Sequence, residues 1–171
     1  DPMDFQVIRG FMRELQARVR SGYTPVGNMT MQFAHYVDEA KYEKVGEETP
    51  FTPDMALPEG SVFLRGTVSV PKARDGYTPY LTMQIPGRTA ILTINGEVYQ
   101  GIDHNRDLVP LRPEWEGQEL AISAVCFGAR GFLDAFGIVE VNRAVQNFLY
   151  SLMLISEYYK LESNQKNPEN V

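Results

Sequence analysis

The chain has a single cysteine, Cys126, so it cannot close an internal disulfide. That usage fits a reducing compartment. Its two histidines, His35 and His104, lie in different segments, and no Cys/His cluster has metal-ligand spacing, which argues against zinc held by this chain. Basic charge is short: 16 Lys and Arg face 22 Asp and Glu, for a net charge of -6. A nucleic-acid or anionic-membrane surface would be basic, so neither is an expected partner. No apolar run is long enough to span a bilayer. Asp1 to Arg20 lacks the charged-then-apolar order of a secretory signal, so the expected location is cytoplasmic, and Asp1-Pro2 reads as a remnant of processing. No repeat, low-complexity stretch or Gly-rich phosphate loop occurs. Gly128-Ala129-Arg130-Gly131 has the glycines of such a loop but no Lys-Ser/Thr after them.

What is present suits one globular domain. A chain of 171 residues can bury a sizeable core, and its 43% apolar and 22% charged residues are ordinary for a globular protein. Phe5, Ile8, Met12, Leu15 and Val19 recur every three or four residues, as in an amphipathic helix, with Arg9, Arg13, Arg18 and Arg20 on a solvated face. Ser21-Gly22 ends it, with Gly22 suited to a left-handed cap. From Tyr23 to Gly60 the pattern is irregular. Met29, Met31 and Phe33 suggest a short strand, Asp38 to Glu48 is dense in charge, and Pro50, Pro53 and Pro58 break regular elements.

The middle of the chain alternates with period two, as half-buried strands do. Val62, Leu64, Val68 and Val70 form one apolar face; Leu81, Met83 and Ile85 another; then Ala90, Leu92 and Ile94. Asn95-Gly96 between strand patterns predicts a hairpin whose two central residues have positive φ. Leu108 to Leu111, Leu120 to Cys126 and Phe136 to Val141 supply further short strands. No helical crossover separates these strands, so an antiparallel sandwich or jelly roll is expected rather than a parallel sheet. The period changes again at the end. Val141, Val145, Phe148, Leu152, Ile155 and Tyr159 share one helical face, and Leu149, Tyr150, Met153, Leu154 and Tyr158 cover much of the rest. A helix apolar nearly all round asks for two partners. Those expected are a following domain or another copy of the chain. After Leu161 the chain turns polar.

Candidate chemistry is sparse. Cys126 sits in a strand pattern and reads as a buried structural thiol. Asp103-His104-Asn105-Arg106-Asp107 is the densest polar cluster. His104 with Asp103 or Asp107 has the composition of an acid/base pair, and paired carboxylates serve glycoside hydrolysis. The same residues are also the usual makers of a surface turn. Trp115 and loop tyrosines such as Tyr99 could stack on sugars, or cap the sandwich ends with the hydroxyl in water. The candidate carbohydrate-binding residues are therefore Tyr99, Asp103, His104 and Trp115.

Phe63-Leu64-Arg65-Gly66-Thr67-Val68-Ser69-Val70-Pro71 resembles a core strand of the domain that precedes the catalytic domain in glycoside hydrolase family 38 α-mannosidases. Leu92 to Asp103 resembles the Asn-Gly hairpin of that domain with its following Gly-x-Asp. His104-Asn105 is similar to the polar pair after it, in reversed order, and Glu119 to Ala124 looks like the next strand. The opening helix and Val139 to Leu161 resemble the bracketing helices. The order and spacing of these motifs carry the resemblance, which spans nearly the whole chain.

The resemblance implies a mostly β domain: a jelly-roll or galactose-binding-like sandwich at 23–141, an N-terminal helix at 1–22, and a C-terminal helix with a polar tail at 142–171. It implies a parent enzyme that cleaves terminal α-mannose with an aspartate nucleophile and zinc, both in a catalytic domain against which this one packs. The family's His-x-His-Trp-Asp signature has no counterpart here, so no catalytic residue carries over and no cofactor is expected on this chain. A carbohydrate-binding module is the alternative reading.

Overall fold

A computed structural model describes residues 5–38 and 41–166. The chain divides into two compact units.

The larger unit, Gly22–Ala73 with Pro79–Val139, is a β-sandwich. Its strands are β1 (Arg20–Pro25), β2 (Gly27–Asp38), β3 (Lys41–Pro50), β4 (Gly60–Ser69), β5 (Tyr77–Gln84), β6 (Arg88–Ile94), β7 (Glu97–Ile102), β8 (Leu108–Pro110), β9 (Glu119–Gly128) and β10 (Ala135–Asn142). One sheet has the order β3-β2-β4-β9-β6-β7 and the other β1-β10-β5-β8. From β4 onward, apart from the β6–β7 hairpin, the chain passes back and forth between the sheets, as in a jelly roll. The expected mostly β sandwich, with an N-terminal and a C-terminal helix in the sequence, is what forms.

Alternation in sequence becomes alternation in burial. Val62, Leu64 and Val68 of β4, Leu92 and Ile94 of β6, and Leu120, Ile122, Ala124 and Cys126 of β9 all enter the core. Leu81, Met83, Val109, Phe136 and Ile138 join them from the second sheet. Each large side chain so buried contributes about 1.5–3 kcal/mol relative to exposure. The β6–β7 turn has the expected geometry, with Asn95 at φ 49° and Gly96 at φ 84°. The Asn95 side chain also accepts a hydrogen bond from the Ala121 N–H at 3.0 Å, tying the turn to β9.

Two regions depart from the sequence expectations. The irregular stretch after Tyr23 is mostly one long hairpin, β2–β3, with Tyr36 opposite Tyr42 and Phe33 opposite Val45. β3 is the edge of its sheet and almost entirely exposed, so it carries no apolar alternation to betray it. Its charges suit an edge that must resist pairing with another chain. The opening helix ends at Val19, and Gly22, at φ 62°, lies within β1 rather than at the helix cap.

The smaller unit joins Asp1–Ser21, Arg74–Thr78 and Glu140–Val171. Its helices α1 (Phe5–Val19) and α2 (Arg143–Lys166) pack on one another. Ile8, Met12, Leu15 and Val19 form the inward stripe of α1. The side chain of Phe5, expected in that stripe, lies outside the described residues. Asn142 caps α2 by accepting the Val145 N–H at 3.2 Å. The inward stripe of α2 is Val145, Leu149, Leu152 and Ser156. Phe148, Ile155 and Tyr159, expected on the packed face, are exposed. The two stripes are offset by one residue, and a helix apolar nearly all round does not specify which one packs. Arg143 fastens the start of α2 to the 74–78 segment through the carbonyls of Gly76 and Tyr77. Arg74 pairs with Glu140 at 2.6 Å.

Two glycines have definite reasons. Gly96 needs its positive φ, and Gly96→Val should cost roughly 1–3 kcal/mol. Gly137 of β10 lies against β1: a Cβ there would collide with the Thr24 carbonyl and come within 2.8 Å of Tyr23 Cε2 and 2.9 Å of Pro25 Cα. Gly101, the glycine of the Gly-x-Asp run after the hairpin, has no positive φ and has room for a Cβ, its nearest atom being the Ala90 carbonyl oxygen at 4.0 Å. Urea unfolding should therefore rank Gly137→Ala well below the parent, by about 2 kcal/mol or more, with Gly101→Ala within about 0.5 kcal/mol of it. Equal effects of the two alanines would contradict the packing described.

Candidate functional site

The expected polar loop follows β7. Asp103 and His104 line a cleft of about 290 Å³ together with Gln84, Asp107 and Asp134. The backbone closes a tight turn through paired hydrogen bonds between Asp103 and Arg106. Asp103 Oδ1 accepts the Asn105 N–H at 2.8 Å, the side-chain-to-backbone bond that makes an Asx turn. The Asp107 carboxylate accepts from Gln84 Nε2 at 3.1 Å. Two of the carboxylates thus bind the loop to itself and to β5, and neither of these bonds orients His104. Among the described residues, no group of three or more His, Cys, Asp or Glu is placed to hold a metal ion.

Tyr99 and Trp115 lie together elsewhere. Their ring centroids are 5.5 Å apart with planes tilted by 48°. The Tyr99 hydroxyl donates to the Pro110 carbonyl at 2.8 Å. Arg112 sits over both rings, 5.2 Å from the Trp115 centroid and 6.0 Å from that of Tyr99, and pairs with Glu97 at 3.5 Å. Trp115 is only 8% exposed and belongs to the core, so its ring faces are not free for a sugar. The four candidate residues therefore divide into a buried aromatic cap and an open acidic cleft. Neither Tyr99 nor Trp115 lines that cleft.

The strongest polar arrangement in the sandwich is one that the sequence reading missed. Arg88, the first residue of β6, is 5% exposed. Its guanidinium donates to five main-chain carbonyls: Nη1 to Pro58 at 2.7 Å, Ala129 at 2.7 Å and Gly128 at 3.3 Å, and Nη2 to Gly60 at 2.9 Å and Cys126 at 3.2 Å. Nε is buried without a partner. Burial pulls the Arg88 pKa below the ordinary arginine value. The Gly128–Gly131 loop thus offers carbonyls to a cation rather than N–H groups to a phosphate. The signal was available in parity: Arg88 is in phase with Ala90, Leu92 and Ile94, all of which face the core.

Cys126 is buried, as expected, and burial pushes its thiol up to about 12 against a smaller opposing effect of Arg88. No described helix is long and apolar enough to cross a membrane. No family model, curated protein or solved structure matches the chain.

Two outcomes follow from this geometry. Arg88→Met would remove a shared donor from five main-chain carbonyls, four part-buried and one buried, and chemical denaturation should show a loss of roughly 2–4 kcal/mol, only partly recovered by Arg88→Lys, which has three donors rather than a planar fork. Cys126 should resist a thiol reagent such as DTNB at pH 8 in the folded chain and react at once in urea. Rapid reaction without denaturant would mean that the strand opens readily.

Proposed function

We propose that this chain is the accessory, non-catalytic sandwich domain of a glycoside hydrolase family 38 α-mannosidase, and that it acts by packing against the catalytic domain that cleaves terminal α-mannose. The observation that carries this reading is the exposed apolar surface of the helical pair. On α2, Phe148, Tyr150, Met153, Leu154, Tyr158 and Leu161 are 48–64% exposed. On α1, Val7 is 61% exposed and Phe11 46%, and the Phe11 and Phe148 rings meet edge to face at 6.1 Å. Large contiguous apolar surface facing water marks an interaction site. The mostly β sandwich with an N-terminal and a C-terminal helix is compatible with this reading. Zinc and the aspartate nucleophile would belong to the partner, in a cytoplasmic enzyme. The alternative, a carbohydrate-binding module with a Tyr99–Trp115 platform, has less support because Trp115 is buried.

The test is complementation. A family 38 α-mannosidase produced without its own N-terminal sandwich should bind this chain in gel filtration and gain activity on a chromogenic α-mannoside. The chain alone should show no turnover. Leu154→Glu with Tyr158→Glu, both on exposed positions, should weaken the complex at least tenfold, about 1.4 kcal/mol, while leaving the melting curve unchanged. Absence of a complex, or hydrolysis by the chain alone, would overturn the reading.

A further inference from the structure

The outer face of the six-stranded sheet carries a groove that neither the accessory-domain reading nor the expected site residues use. Its position follows from strand register. Cα partners place Thr30, Arg65, Ser123, Thr93 and Val98 in one row across β2, β4, β9, β6 and β7. Directly opposed residues on neighbouring strands share a face. Thr67 lies opposite Ala121 in the adjoining row. The next row on the other side holds Phe63, Val125 and Ile91.

Side-chain size gives this surface its relief. Thr67, Ala121, Ser123 and Thr93 are short and form a floor. Arg65 and Glu48 stand at one end, and the turn at Gly96 at the other. The depression is about 460 Å³. From β4 to β6 there are two strand spacings, so the floor is about 9–10 Å wide. Phe63, Val125 and Ile91, each partly exposed, lie in the next row of the same face, outside the lining of the depression itself, and make an apolar margin beside it.

The charged end is built to exchange hydrogen bonds. Arg65 Nη1 reaches Glu48 Oε2 at 3.5 Å, a long contact, and among the described residues its guanidinium meets no other acceptor. Thr30 donates its hydroxyl to the other Glu48 oxygen. That bond, with the neighbouring Arg65, holds Glu48 below the usual carboxylate range, so it is an acceptor at neutral pH. The Arg65 guanidinium lies 5.7 Å from the Phe63 ring centroid. One groove therefore presents a cationic donor, an ionised acceptor, three threonine or serine hydroxyls and an apolar margin. The ligand chemistry that matches all four is a chain of pyranose rings, which offers vicinal hydroxyls along its edges and C–H faces to apolar side chains. A nucleic acid would be repelled by the net charge of -6, and a purely apolar peptide would leave the charged pair unanswered.

We propose that this groove, between the Glu48–Arg65 pair and the Asn95-Gly96 turn, binds a short oligosaccharide. Arg65 and Glu48 would take adjacent hydroxyls of one ring, Thr93 and Ser123 would bond to the next, and Phe63 would cover an apolar face. The residues that line the groove are none of those exposed on the helical pair.

The experiment is calorimetric titration of the intact chain with mannotriose, maltotriose and cellotriose. At least one should bind with a dissociation constant of about 1 mM or tighter. Ser123→Trp, which fills the floor, and Arg65→Ala should each weaken that binding at least tenfold with unchanged melting curves. Tyr99→Ala, at the aromatic cap, should leave it unchanged. No heat of binding at about 10 mM of all three sugars, or binding that survives both groove variants, overturns the proposal. Because complementation by the helical surface does not require the groove, either result can fail while the other stands.

Discussion

At one end of the sandwich a guanidinium is enclosed by main-chain carbonyls from 58–60 and from 126–129, and among the described residues no carboxylate accompanies it. Carbonyl groups at the ends of strands and in loops are strong acceptors that water would otherwise satisfy. Bringing several of them to one buried point is unfavourable unless a donor meets them there. Arg88 provides a planar fork on the first residue of β6, where a single residue can tie the start of β4, the end of β9 and their loops to the core. The charge is dispersed over dipoles rather than matched by an acid. Such an arrangement cannot swap partners as an ion pair can, so it fixes the backbone at this end of the sheets. β6 and β9 are both interior strands, and their ladders set the register of the rows on the outer face.

The helical pair obeys a different constraint. α1 has a clear polar side, and one stripe of it packs. α2 has apolar residues on nearly every side; its most buried stripe is Val145–Leu149–Leu152, and Phe148, which meets Phe11 of α1 edge to face, is still half exposed. What remains is apolar surface that gains free energy from any partner excluding water. Within the unit, local fastening is polar: Asn142 caps α2, Arg143 holds the 74–78 segment, and Arg74 reaches both Glu140 and the Ser21 hydroxyl. These bonds position α2 without burying its outer face.

Sequence legibility followed exposure to water on one side only. β4, β6 and β9 alternate because one face meets the core and the other meets solvent, so Val62, Leu92 and Ile122 could be assigned inward before any coordinates. The Asn95-Gly96 turn was legible because few residue pairs tolerate two consecutive positive φ values. β3 was illegible because neither face is buried, and the packed stripe of α2 because too many faces are apolar. Trp115 looked like a loop aromatic from its Pro-Glu neighbours, yet the short 3₁₀ turn Pro113–Trp115 tucks its ring inward. Arg88 was overlooked through its charge, which masked the inward parity of its position. Local composition misleads where tertiary contacts satisfy a group that looks solvated.

The same logic separates the acidic loop from the groove as places where chemistry is available. In the loop, Asp103 is engaged by its own turn and Asp107 by Gln84, so these groups are arranged chiefly to hold the chain's path. Across the outer sheet face, most side chains other than the Glu48–Arg65 pair are not needed to close a turn or cap a helix, and the backbone beneath them is already satisfied by the ladder. A rigid sheet holding polar groups whose hydrogen-bonding capacity is incompletely used is pre-organised for a ligand, because little conformational freedom is left to lose on binding. Two kinds of surface therefore stay open for different reasons: the helices because they have more apolar area than one neighbour can cover, and the sheet because its polar groups face outward from a frame that Arg88 and the core keep fixed.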